Sequence, residues 1–293
     1  MKIQKTNLWL IFAVTIAALC FTSCDRNGGE EEVGGGSGNQ ENHQQEYPPT
    51  ADVIRDAVTD IDGNKYDAVR IGDQVWMASN LRTTRYADGT IIPLGDTSSS
   101  TVPYRYAPGK AHTNEANMAN VPTYGYLYNW SAVMHNDSSS QTNPSGVQGI
   151  CPNGWHVPSE EEWGQLRYYL YHQDEYDCSC RIYHNGEFHE EGGPAKALAS
   201  TKGWLTTELN TCAPGYDQSS NNATGFSAFP AGFYSIYDDV GYDQFGWSAN
   251  FWSSTSQHYY DRACRLSISN SDGRPSPYDI GFGFGFSVRC LRD

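Results

Sequence analysis

The chain has 293 residues, and its 19 Lys and Arg stand against 34 Asp and Glu for a formal net charge of −15. That balance argues against a nucleic-acid partner, which is held through clustered basic residues, and suits a protein that must stay dissolved at a wet surface. Aromatics are abundant (20 Tyr, 8 Trp, 11 Phe) and accompany 29 Gly, a composition that predicts many short strands and tight turns.

The chain begins Met1-Lys2-Ile3-Gln4-Lys5, continues with an apolar run from Leu8 to Cys20, and then reads Phe21-Thr22-Ser23-Cys24. A basic head, an apolar middle and small residues before a cut are the parts of a secretory signal. The run is too short to cross a hydrocarbon core, which needs ~20 residues. A cysteine directly after the cut marks a lipoprotein signal, so residues 1–23 are expected to be removed and Cys24 to carry the lipid. Several acyl chains matter there, because one gives only marginal membrane binding. Ser23 at −1 fits, while Phe21 at −3 stands where Leu is commoner. The alternative is a cut near Ala18 that leaves Cys20 and Cys24 as plain cysteines.

Residues 24–50 are rich in Gly, Glu, Gln and Asn, and only Val33 and Tyr47 offer appreciable apolar area. Such a segment cannot offset its chain entropy and reads as a flexible tether. Its acidic start, Asp25 and then Glu30-Glu31-Glu32, resembles the surface-export signals of Bacteroidetes lipoproteins. That resemblance implies an outer-membrane protein facing the exterior; without it the segment is a solvated acidic tether. Residues 51–293 carry no second linker and no internal repeat, and are expected to form one domain with long loops.

Within that domain, Asp60-Ile61-Asp62-Gly63-Asn64 reads as a hairpin turn, since its carboxylates lack the glycine and distal glutamate of an EF-hand. Ala68–Ile71 and Gln74–Met77 follow as a second hairpin about Gly72-Asp73. The strongest local signal runs from Pro158 to Leu170. Ser159 and Glu162 form a capping box, Glu160, Glu161 and Glu162 sit where the helix dipole favours negative charge, and Trp163, Leu166 and Leu170 make the buried stripe. Those carboxylates are helix chemistry, not a catalytic pair. A second short helix is expected from Pro194 to Ser200 with Pro194 at its first position. Finally, Ile280–Cys290 alternates with period two, phenylalanines on one face and glycines on the other, and predicts a core strand.

Six cysteines remain beyond Cys20 and Cys24: Cys151, Cys178, Cys180, Cys212, Cys264 and Cys290. In an exported domain they are expected in disulfides, and sequence alone does not choose the connectivity. Cys178 and Cys180 are too close to bridge each other, so each is expected to reach elsewhere, with Cys212 a near candidate. His172, His184 and His189 flank them, but the spacing matches no standard zinc site, and no metal is assigned.

These residues resemble one family, the Fibrobacter succinogenes major paralogous domain. The opening is carried by Asp60-Ile61-Asp62-Gly63-Asn64-x-Tyr66 and Ile71-Gly72-x-Gln74-x-Trp76-Met77-x-x-Asn80-Leu81-Arg82. The middle is carried by Tyr124-Gly125-x-Leu127-Tyr128-Asn129-Trp130 and by Cys151-Pro152-x-Gly154-Trp155-His156-Val157-Pro158-Ser159 with Glu162-Trp163. The end is carried by Asn222-x-x-Gly225-Phe226-Ser227-Ala228, Phe251-Trp252-Ser253-Ser254-Thr255 and Ser287-Val288-Arg289-Cys290. The blocks cover about residues 53–292. Their order is also similar to that of sulfatase-modifying-factor domains. This implies a C-type-lectin-like α+β fold of short strands, two short helices and long loops, with its ends joined in one sheet. By that analogy Cys151 and Cys290 pair.

The expected function is a non-enzymatic binding or adhesion module at the cell surface, for a glycan or a surface protein. Its contact region is expected in the segment from Gly232 to Trp247, where Tyr237, Asp238, Asp239, Tyr242, Asp243, Phe245 and Trp247 alternate rings with carboxylates. Rings stack on sugars and carboxylates accept their hydroxyls. No cofactor is assigned, although Asp238, Asp239 and Asp243 could instead hold calcium. The Glu-Pro-Asn, Gln-Pro-Asp and Trp-Asn-Asp signatures of calcium-dependent lectins are absent. A structural or tip subunit of a surface appendage is the second reading. An enzyme related to the formylglycine-generating oxidases is the third, against which stands the lack of a cysteine near Cys264 to complete a copper pair. No catalytic residue is assigned.

Overall fold

The computed structural model describes residues 46–293 except 177, 185, 186, 191, 209, 236–240, 258 and 259, and only the backbone of 181–190. The leader, Cys24 and nearly all of the tether lie outside the described residues, as do Tyr237, Asp238 and Asp239.

Strands β1 (Asp52–Thr59), β2 (Lys65–Ile71) and β3 (Gln74–Met77) form the two hairpins expected from the sequence. The first turn closes because Asp60 Oδ1 accepts the amides of Asp62 (3.0 Å) and Asn64 (2.9 Å). The second pairs Ile71 with Gln74 and needs Gly72, whose φ is +58°. There follow β4 (Arg105–Tyr106), α1 (Val121–Tyr124), β5 (Leu127–Tyr128), α2 (Trp130–Met134), β6 (Trp155–His156) and α3 (Glu160–Tyr171). After them come β7 (Arg181–His184), β8 (Glu187–Glu190), α4 (Ala195–Leu198), β9 (Phe233–Tyr234) and β10 (Tyr242–Asp243). The chain closes with β11 (Ser248–Ser256), β12 (Arg262–Ser269), β13 (Ser276–Gly281) and β14 (Leu291–Arg292).

One antiparallel sheet has the order β1-β2-β3-β14-β6, so the last strand lies between elements from the first half of the domain. A second sheet has the order β11-β12-β13, and β4–β5, β7–β8 and β9–β10 are small ladders. Mixed small sheets with few short helices make the α+β class that was expected.

Helix α3 forms as its capping box dictates. Ser159 Oγ accepts the Glu162 amide, the Glu162 carboxylate accepts the Ser159 amide, and Trp163, Leu166 and Leu170 are buried. Trp163 stacks on Trp76 of β3 at 4.4 Å between ring centroids, an arrangement worth about 0.5–1.5 kcal/mol beyond the area it buries. This stack belongs to one of the two large apolar clusters; the other gathers Tyr66, Tyr128, Trp252 and Phe286.

Four elements depart from expectation. The second predicted helix is shorter, Ala195–Leu198, with Pro194 as its N-cap. Two further short helices exist, α1 and α2, each too brief to show a periodic stripe; α2 is held by Asn129, whose side chain accepts the Ala132 amide. The run Ile280–Cys290 is not one strand. It leaves β13 at Gly281, turns, and then bridges β9, β5 and β11 in succession through Gly285, Phe286 and Ser287. The period-two alternation is still meaningful locally: a Cβ on Gly285 would lie 2.8 Å from the Tyr106 ring, so glycine admits that layer.

Disulfides join Cys151 to Cys290 and Cys178 to Cys212, whereas Cys180 and Cys264 carry free thiols. The expectation that all six would be bridged is therefore corrected for these two. Cys264 on β12 is buried with its thiol 3.0 Å from Asp279 Oδ1 and 3.3 Å from Glu160 Oε2.

Candidate functional site

The expected contact segment is divided by its packing. Tyr242 on β10 is core: it is 3% exposed, meets Tyr234 edge-on at 5.1 Å, and Tyr234 in turn stacks on Tyr106 at 4.1 Å. Its backbone is also tied down, donating to Thr113 and accepting from His112. A ring so enclosed offers no face to a ligand, which corrects its assignment. Phe245 is half-buried against Tyr124 at 4.7 Å. Asp243 is half-buried, accepts the Gln244 amide and lies 3.6 Å from His112 Nδ1, so its carboxylate has local partners.

Trp247 is different, with 53% of its surface exposed. The turn before it runs through Gln244 (φ +54°) and Gly246 (φ +82°), and the Gln244 carbonyl accepts the amides of Trp247 and Ser248. Leu205 lies over that turn: its amide donates to the Gly246 carbonyl, and a Cβ on Gly246 would sit 3.1 Å from Leu205 Cγ. Buried Asn270 gathers these loops. Its amide donates to Trp247 (2.8 Å), its Nδ2 donates to the Leu205 carbonyl (3.1 Å), and its own carbonyl accepts the Gly215 amide (2.9 Å). Leu205, exposed Tyr216 next to Gly215, and Trp247 are thereby presented on loops fixed to a single residue, through its backbone and its side chain. The sequence pointed to Trp247 but not to Leu205, Tyr216 or Asn270, which come from segments far apart in the chain.

Two cavities lie elsewhere. One, of about 120 Å³, opens between α3 and the β11-β12-β13 sheet and is lined by Trp163, Gly164, Arg167, Cys264, Leu266 and Pro277. Burial, then Asp279 and Glu160, push the Cys264 thiol well above its ordinary range, so it is a poor nucleophile at neutral pH. The other, of about 220 Å³, adjoins the Asp60 turn and the Cys151 loop. There Asp62 accepts the Thr84 amide (2.5 Å) and the Thr84 hydroxyl (2.8 Å) and faces Arg85. Burial raises its pKa, but these donors outweigh it and hold the carboxyl below its ordinary value. Asp60 thus closes the turn, while Asp62 ties it to the Thr83–Arg85 segment.

His156 on β6 has both ring nitrogens engaged, Nε2 with Glu162 Oε1 at 2.8 Å and Nδ1 with Asp293 Oδ1 at 2.7 Å. Burial lowers its pKa, yet the two carboxylates prevail and the net shift is upward. This arrangement ties the start of α3 to the strand that ends the sheet. Among the described residues no group of three or more His, Cys, Asp or Glu is placed to hold a metal ion, and no helix is long and apolar enough to cross a membrane.

No curated protein and no solved structure matches the chain. A family model, the Fibrobacter succinogenes major domain, matches residues 69–292, well over half of the sequence. That span takes in β3, β14, both disulfides and the Trp247 loops, and the chain belongs to the Fibrobacter succinogenes major domain family.

Proposed function

We propose that this protein is a non-enzymatic binding module, held to the outer membrane by lipid on Cys24, facing the exterior and recognising glycans through Trp247. The carrying observation is the exposed Trp247 ring beside Leu205, on loops pinned by Asn270. A flat aromatic face in a polar loop region suits the apolar face of a sugar ring, and fixed loops lower the entropy cost of binding. The leader, the lipobox-like cut and the acidic tether support the location. The fold is read as C-type-lectin-like, supported by β14 lying between β3 and β6 and by the Cys151–Cys290 bridge.

A glycan array probed with the full chain, with and without calcium, tests this reading. Saturable binding to one glycan class is expected. Calcium dependence would bring Asp238, Asp239 and Asp243 into the site. A blank array from folded protein would contradict the glycan reading.

A further inference from the structure

We propose that Cys178, Cys180 and Cys212 form a thiol–disulfide exchange centre in which Cys212 is bridged alternately to Cys178 and to Cys180. The unpaired Cys180 is held beside the existing disulfide by a shared acceptor. Its Sγ donates to Asn210 Oδ1 at 3.1 Å, and the same oxygen accepts the Cys212 amide at 2.9 Å. The free thiol and the backbone of one disulfide partner are therefore tied to the same oxygen, and Cys180 is only half-buried.

Chain geometry allows both bridges. Cys178 and Cys212 are 34 residues apart with 5.5 Å between their Cα atoms, and Cys180 closes a loop only two residues shorter. Loop-closure entropy varies slowly with length, so it does not choose between the two. The backbone at Cys178 is fixed, because its carbonyl accepts the Gly193 amide at 2.8 Å and Gly192 packs too closely on it to admit a Cβ. Movement on exchange then falls on Cys180 and on the root of the β7–β8 hairpin, which begins at the next residue, Arg181.

The chemistry balances without an outside oxidant or reductant. The Cys180 thiol gives its proton to solvent, and the thiolate attacks Cys212 Sγ. The Cys178–Cys212 bond breaks, Cys178 leaves as thiolate, and it takes up a proton. One S–S bond forms and one is lost. The consequence of exchange is a hairpin root with two positions, set by which cysteine holds Cys212.

The test is disulfide mapping of the full chain. Protein is held at about pH 8, quenched in acid, digested with pepsin in acid to stop scrambling, and read by mass spectrometry. The expected result is both connectivities, Cys178–Cys212 and Cys180–Cys212, within about tenfold of each other. Cys180→Ser leaves only the first, Cys178→Ser carries the second, and Cys264→Ser leaves the ratio unchanged. A wild-type map with Cys178–Cys212 alone, and Cys180 fully alkylatable at every incubation time, overturns the proposal even should Cys178→Ser misfold.

Discussion

Two buried polar residues organise two regions of this domain, Arg289 through its side chain and Asn270 mostly through its backbone, and to opposite ends. Arg289 is fully buried and meets Asn80 Oδ1 (2.8 Å), the carbonyls of Met77 (2.9 Å) and Ser227 (2.7 Å), and that of Phe226. Its guanidinium also lies over the Phe226 and Phe251 rings. Burial pushes its pKa down to about 9, which leaves it charged at neutral pH. Asn270 likewise draws distant loops together, but its Oδ1 finds no partner among the described residues and the side chains around it face outward. A flexible lysine could not replace the planar fork of Arg289, which locks β3 to the segment entering β14. Asn270 fixes only backbone, which leaves Leu205, Tyr216 and Trp247 free to meet something else. One region is saturated with its own contacts; the other is rigid yet unsatisfied at its surface.

Substitutions can break this contrast. Arg289→Met strips four acceptors of their donor in a fully buried site, and a loss of ~3–5 kcal/mol in urea unfolding is expected. Arg289→Lys should recover only part of it. Asn270→Ala removes the side-chain bond to the Leu205 carbonyl and keeps the backbone bonds to Trp247 and Gly215, so it is expected to cost ~1–2 kcal/mol and to raise proteolytic cleavage selectively in the loop about Leu205. Global unfolding without local cleavage would show that Asn270 belongs to the core after all.

A smaller effect should follow pH. His156 adjoins β14, and its pKa in the folded protein is raised above the ordinary 6.5. Its contribution is therefore complete below pH 6.5 and is lost as pH rises through the folded-state value. Urea midpoints should decline across that interval, and His156→Gln should flatten the decline. An unchanged slope in the variant would remove His156 from the account.

What the sequence revealed follows from the range of the interactions. Helix α3 and the first two hairpins were legible because Ser159 meets Glu162 and Asp60 meets Asn64 within a few residues. Arg289 was visible only as part of a family motif, since its partners Asn80 and Met77 lie more than two hundred residues away. Tyr242 looked like a surface ring because acidic residues surround it in sequence, whereas its real neighbours are Tyr234 and, beyond it, Tyr106. Phe282, Phe284 and Phe286 suggested one strand, and a turn within that run was invisible to an alternation that it does not disturb.

The smallest expected change in stability accompanies the largest expected change in binding. Trp247→Ala alters an exposed side chain and should shift stability by no more than ~0.5 kcal/mol. Binding and melting of the full chain and of Trp247→Ala, measured side by side against the glycan class found on the array, test the central claim most directly. The account predicts at least a tenfold loss of affinity, ~1.4 kcal/mol, at an essentially unchanged melting temperature. Undiminished binding, or a joint collapse of binding and melting, would contradict it.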